Sequence, residues 1–212
     1  IASEFRYRNP LIDEKTLCIY ISQSGETADT IAALKLAKSK KAITIAISNV
    51  IGSSITREAD YSIYTHAGPE IAVASTKAYT SQVILLTILG MYFAEKLEKT
   101  DINKLKKQIL ELPSQIEEVL TTVDKVKEFA KKVYKEKDMF FLGRGTDYAV
   151  SMEGSLKLKE ISYIHSESYA SGELKHGPIA LIENYVTVIA TMTNESLVEK
   201  SISNIQEVIT RG

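Results

Sequence analysis

Apolar residues along this chain fall into two patterns: short unbroken runs, and longer stretches that repeat every three or four positions. Residues 17–21 and 139–142 are almost wholly apolar over the length of a strand. Residues 42–47 are interrupted only by β-branched Thr44 and end at Ser48-Asn49; 61–64 is a shorter strand candidate and 185–190 a further β-rich segment. Residues 28–38 and 149–163 read as helices, the first with Ile31, Leu34 and Leu36 among its apolar positions. Residues 74–98 read as one helix, apolar enough to be largely buried. Gly68-Pro69 and Gly143-Arg144-Gly145 mark turns. Strands that alternate with helices and are continuously apolar predict an α/β fold with parallel sheets covered on both faces.

Between these halves, residues 101–137 are rich in Lys and Glu. Leu105, Ile109, Leu112, Ile116, Val119, Val123, Val126, Ala130 and Val133 alternate spacings of four and three, which is a helical stripe. Pro113 interrupts it and is expected to start a second helix. This segment is a helical connector, because the chain on either side repeats itself. A shift of 169 positions lays Ser22-Gln23-Ser24-Gly25-Glu26-Thr27 over Thr191-Met192-Thr193-Asn194-Glu195-Ser196, and Ser3-Glu4-Phe5-Arg6-Tyr7 over Gly172-Glu173-Leu174-Lys175-His176. So long a period means a duplicated α/β domain, not a solenoid. The expected division is 1–100 for the C-terminal part of a first copy, 101–137 for the connector and 138–212 for the N-terminal part of a second. Both copies are then truncated, and the chain reads as a window through a larger protein. A cut through both copies leaves sheet edges and apolar faces uncovered, so the window is not expected to be stable by itself.

Composition narrows the field. A hydrophobic content of 44% over 212 residues is ample for a core, and a net charge of −1 gives no electrostatic case for a nucleic-acid or membrane partner. The longest apolar run, 83–94, is broken by Thr87 and Gly90 and is too short to span a bilayer. The single cysteine, Cys18, lies in a strand and reads as a structural thiol; three histidines without clustered spacing argue against a metal site. No metal or cofactor is expected, and the cytoplasm is the default location.

Three places carry chemistry. Ser22-Gln23-Ser24-Gly25-Glu26-Thr27 joins a strand to a helix, so hydroxyls, backbone N–H groups and the positive helix end converge where a phosphate would fit. The loop holds no lysine and is no P-loop; read as plain structure, Ser24 is a helix N-cap and Ser22 a turn residue. Glu153, Lys157 and Glu160 share one helix face, either as a solvated ion-pair ladder or, with Leu156, Leu158 and Ile161 close by, as a tuned acid/base. His176, between Lys175 and Gly177-Pro178, is either a proton shuttle or incidental. His66 and His165 have weaker contexts and receive no role.

Residues 22–30 (SQSGETADT), 73–78 (VASTKA), 156–165 (LKLKEISYIH) and 172–178 (GELKHGP) resemble the sugar isomerase (SIS) superfamily. Within it they resemble the isomerase region of the glucosamine-6-phosphate synthases, also called glutamine–fructose-6-phosphate aminotransferases (isomerizing). The resemblance covers essentially the whole chain. It implies tandem SIS domains, each a parallel sheet flanked by helices, and the conversion of fructose 6-phosphate and glutamine-derived ammonia to glucosamine 6-phosphate. It also implies that Ser22, Gln23, Ser24 and Thr27 hold the phosphate, and that Val73 and Ser75, at the start of the long helix, line the sugar site. By the same resemblance Glu160 moves a proton between carbons 1 and 2, Lys157 assists at the sugar oxygens, and His176 opens the ring from the other subunit of a homodimer. The family's glutaminase domain, its first phosphate-side loop and its C-terminal lysine tail would lie outside this sequence, so this stretch alone is expected to be inactive. Two competing readings are a non-catalytic SIS module that senses a sugar phosphate, which requires nothing of Glu160 or His176, and another SIS sugar-phosphate isomerase.

Overall fold

The computed structural model describes residues 1–98 and 101–212. The expected boundary between first copy and connector lies between residues 100 and 101, and residue 100 is outside the described residues. In chain order the elements are α1 (Ala2–Phe5), β1 (Leu17–Ser22), α2 (Ala28–Ser39), β2 (Ile43–Ser48), α3 (Ser54–Glu58), β3 (Tyr61–Tyr64), α4 (Lys77–Lys96), α5 (Asn103–Leu120), α6 (Val123–Val133), β4 (Asp138–Gly143), α7 (Thr146–Ser162), β5 (His165–Ala170), β6 (Thr187–Ala190) and α8 (Val198–Arg211). Short 3-10 turns occupy Leu174–His176, Pro178–Leu181 and Glu195–Leu197. The chain divides into two compact units, Ile1–Leu112 and Pro113–Gly212.

Unit 1 carries a parallel sheet in the order β1-β2-β3. Register pairs Tyr20 with Ala46 and Ser22 with Ser48, so the loops after all three strands open at one edge. Tyr20, Ala46, Ala33, Leu34, Ala37 and Ile55 form its core, with Cys18 and Phe5 packed alongside. The small side chains Ala33, Ala37 and Ala46 let α2 lie close to the strands, and the Tyr20 hydroxyl donates to the Ala33 carbonyl at 3.0 Å. Leu17, Ile19, Ile21 and Ile43, on the opposite face, are exposed.

Unit 2 carries a parallel sheet in the order β5-β4-β6. Central β4 is buried from Met139 to Gly143, as its unbroken apolar run demands. Phe140 and Leu142 pack with Val188 and α8's Val208 on one face. On the other face α7 runs back along the sheet: Ser151 Oγ donates to the Leu142 carbonyl at 3.0 Å, and Ser155 and Ser166 share a hydroxyl contact at 3.0 Å. Gly154 eases this crossing, since a Cβ there would stand 3.1 Å from the Phe141 ring and push it by a few tenths of an ångström.

Five expectations change. Among the described residues unit 1's sheet is not covered on both faces, and the long helix is buried only at Ala78 and Met91, with Val83, Ile88 and Tyr92 exposed. The long helix begins at Lys77, not at residue 74, because the Glu70 carboxylate accepts from Ser75 Oγ at 3.0 Å and from the Ala78 N–H at 3.3 Å, which caps the helix there. Pro113 lies inside α5 and does not open a helix. The break comes at Thr121 and Thr122, whose hydroxyls fold back onto the carbonyls of Glu118 and Val119. Strand β5, His-Ser-Glu-Ser-Tyr-Ala, was missed because its residues are mostly polar; it gains its place from ladder bonds to β4 and from the Ser155–Ser166 contact.

Candidate functional site

The Ser22–Thr27 loop sits at the C-terminal edge of unit 1's sheet, where ligands of open α/β sheets bind. Gly25 turns it with φ +70°, and a Cβ there would stand 2.1 Å from Ser53 Oγ, so only glycine fits. Ser22 Oγ accepts from the Gly25 N–H at 3.0 Å and lies 3.2 Å from Thr27 Oγ1. Thr27 is the N-cap of α2, yet its hydroxyl is turned to Ser22 and makes no cap bond. The leading N–H groups of α2 are therefore left for another acceptor. Among the described residues no group accepts from the N–H of Ser24 or Thr27.

Neighbouring groups brace this cradle. The Gln23 carbonyl accepts from the Asn49 N–H at 3.1 Å and from Ser48 Oγ at 3.3 Å. Asn49 Nδ2 donates to the Gly68 carbonyl at 2.7 Å, which ties the turn after β3 to the same edge. Glu26 faces away: its carboxylate accepts from the Ser54 N–H at 2.8 Å. That bonding to Ser54, aided by Arg57, holds the Glu26 carboxyl below its ordinary range. Ser75 is half-buried against Glu70, whereas Val73 is fully exposed; both lie in the loop before α4 and not on the helix. Asn49 and Glu70 were not picked out from the sequence; the Ser48-Asn49 pair ending a strand was the available signal for the first.

In unit 2, Glu153, Lys157 and Glu160 do form one cluster on α7. Lys157 Nζ lies 2.7 Å from Glu160 Oε2 and 3.3 Å from Glu153 Oε1, with side-chain exposures of 21%, 30% and 24% for Lys157, Glu160 and Glu153. The hydrogen bond to Glu160, more than the charge of Glu153, raises the Lys157 pKa above its ordinary value against the opposing effect of burial. Two half-buried carboxylates around one ammonium leave a negative charge on this face. His176 is exposed in the turn after β5, with no side-chain partner among the described residues. His165 is engaged otherwise, with Nδ1 2.8 Å from Asp138 Oδ1.

Glu160 and His176 stand at opposite ends of unit 2. α7 starts at the C-terminal edge of β4 and runs back, so Glu160 lies fourteen residues, about 21 Å, down its axis. His176 follows β5 at the C-terminal edge. One copy of unit 2 does not bring the two together.

The SIS domain family model matches residues 1–92 and 132–212. The chain belongs to the SIS domain family. It is 61% identical over its full length to a glutamine–fructose-6-phosphate aminotransferase (isomerizing) from Clostridium tetani, and 60% identical to one from Clostridium perfringens. It spans 35% of the length of each of these relatives. Among solved structures, the C-terminal domain of glucosamine-fructose-6-phosphate aminotransferase from Francisella tularensis superposes with a TM-score of 0.96 at 42% identity, covering all of this chain and 61% of that one. The two SIS matches leave out residues 93–131, which hold α5 and most of α6. No helix among the described residues is long and apolar enough to cross a membrane.

Proposed function

We propose that this chain is the isomerase part of an enzyme that converts fructose 6-phosphate and ammonia to glucosamine 6-phosphate. The observation that carries the reading is the uncapped Ser22–Thr27 cradle, in a chain 61% identical throughout to a named aminotransferase. Ser22, Gln23, Ser24 and Thr27 bind the phosphate through hydroxyls and N–H groups; Val73 and Ser75 line the sugar site. Glu160 takes the proton at one of carbons 1 and 2 and returns it at the other, which needs a carboxylate over adjacent carbons. Lys157, kept protonated by its two carboxylates, stabilises charge on the sugar oxygens. His176 serves ring opening from the other subunit of a homodimer, a role supported by its separation from Glu160 within one copy. Ammonia comes from a glutaminase domain of the same parent chain, in the cytoplasm, with no cofactor.

Solvent deuterium exchange at carbon 1 of fructose 6-phosphate, run on the full-length protein, tests this. Glu160→Gln keeps shape and hydrogen bonding but removes the base, so exchange should fall by roughly two to four orders of magnitude. Fructose 6-phosphate affinity should change little. His176→Ala should be less impaired with an acyclic analogue than with the cyclic sugar. Exchange at the wild-type rate in Glu160→Gln would remove Glu160 from the proton transfer and reduce the Glu153–Lys157–Glu160 cluster to an ion-pair ladder, whereas no exchange in the wild type would favour a sugar-phosphate-binding regulator.

A further inference from the structure

The second copy of the phosphate loop, residues 191–196, also joins a strand (β6) to a helix (α8). The donors of its Thr193, Asn194 and Ser196 are already taken. Asp147 Oδ2 accepts from the Thr193 N–H at 2.8 Å and from the Asn194 N–H at 3.4 Å, while Asp147 Oδ1 accepts from Thr193 Oγ1 at 2.5 Å. Asn194 Oδ1 accepts from the Ser196 N–H at 3.0 Å and from Ser196 Oγ at 2.7 Å. In the first copy the matching positions are Ser24, Gly25 and Thr27. Gly25 has no side chain to offer, and the N–H groups of Ser24 and Thr27 have no acceptor among the described residues.

Asp147 is built into this place. It is only 4% exposed, and it stands in the first turn of α7, which closes tightly on the end of β4. A Cβ at Gly143 would stand 2.4 Å from the Asp147 carbonyl, so glycine there permits the approach. A buried carboxylate needs compensating donors, and among the described residues this one finds them in the loop.

We propose that Asp147 fills the anion place of the second loop from within the chain, so that each chain offers one phosphate cradle and not two. The duplicated fold keeps the strand–loop–helix geometry in both copies, but only the first remains open to a ligand. This explains how a repeated anion motif leaves a single site, and it makes Asp147 the residue that decides between a binding loop and a structural one. The inference rests on the first loop's reading as a phosphate cradle only for the comparison; the second loop is tested on its own.

The test is hydrogen–deuterium exchange and calorimetry on the full-length protein, with inorganic phosphate and fructose 6-phosphate as probes. In the wild type, both probes should slow exchange in residues 22–28 and leave 191–197 unchanged. In Asp147→Ser, which removes the charge and opens space, 191–197 should respond to inorganic phosphate and the phosphate bound per chain should double. Asp147→Asn, which keeps the shape, should stay closed. Protection of 191–197 in the wild type at the concentration that protects 22–28 overturns the proposal. So does a folded Asp147→Ser whose second loop ignores phosphate. If Asp147→Ser does not fold, the wild-type exchange pattern decides by itself. Failure of 22–28 to respond counts against the proposed function, and is read separately from the behaviour of 191–197.

Discussion

The two copies of one strand–loop–helix unit reach opposite ends with nearly the same backbone plan. A shift of 169 positions carries β1 onto β6 and α2 onto α8. In the first copy the loop turns through glycine at φ +70°, and the N–H groups of Ser24 and Thr27 have no acceptors among the described residues. In the second, the position of Gly25 is Asn194 at φ −87°, whose side chain caps the following turn, and Asp147 takes the N–H and hydroxyl of Thr193 and the N–H of Asn194. The sheets differ in the same sense. Unit 2 packs both faces, α7 on one and α8 with the 3-10 turns on the other, whereas unit 1 leaves Leu17, Ile19, Ile21 and Ile43 exposed. Strand–loop–helix geometry creates an anion place, and what stands in front of it decides whether it serves binding or stability.

The sharpest way to break this comparison is at the turn itself. Gly25→Ala must fit a Cβ 2.1 Å from Ser53 Oγ at a left-handed backbone angle, so strain and overpacking together should cost about 2–4 kcal/mol. Asn194→Ala removes only a cap and should cost about 1 kcal/mol. Urea unfolding of the full-length protein measures both. Equal losses would mean that the first loop is not held in its special conformation, and the contrast between the copies would fall with it.

Much of this was legible beforehand, for identifiable reasons. Strands buried at the centre of a parallel sheet must be apolar on both sides, so β2 and β4 announced themselves. The repeat exposed the loop pair, since the same small polar residues recur at one offset. Polar β5 gave no such signal, because what fixes it is a serine on α7 eleven residues away. Asp147 lay hidden for the same kind of reason: its partners are 46 and 47 residues distant, and nothing local marks an aspartate in the first turn of a helix as an occupant of someone else's loop. The split between Glu160 and His176 also needed the direction of α7 relative to β4 and β5 before it could be seen.

A second comparison concerns affinity. Ser24→Ala should weaken fructose 6-phosphate binding by about 1–3 kcal/mol, the range for hydrogen bonds to a charged group. Thr193→Ala, at the matching position, should leave that affinity unchanged and act on stability alone, because its hydroxyl is spent on Asp147. Calorimetry on both variants decides. Equal weakening would show that the second loop contributes to binding after all.

The smallest expected effect is a pH signature that separates two similar carboxylates, one in each unit. Asp147 accepts from both the N–H and the hydroxyl of Thr193, and Asp60 accepts from both the N–H and the hydroxyl of Thr44 at 2.9 and 2.7 Å. In each case the threonine hydroxyl is the chief cause holding the carboxyl below its ordinary value, the N–H adds to it, and burial opposes it. A depressed folded-state pKa stabilises above the unfolded value, near 4 for aspartate at about 3.9, and that contribution fades as pH falls through the folded value. The gap in stability between the full-length wild type and Asp147→Asn should therefore be complete near neutrality and close only below roughly pH 4. Asp60→Asn should behave alike with one difference. Asp60 also faces Lys38 Nζ at 3.4 Å across exposed side chains, so part of its gap should shrink in salt. Asp147 has no cation in ion-pair range among the described residues, and its gap should be indifferent to salt. A salt-sensitive Asp147 gap would mean that a cation faces that carboxylate, and the carboxylate would then be half of an ion pair and not the sole occupant of an anion cradle.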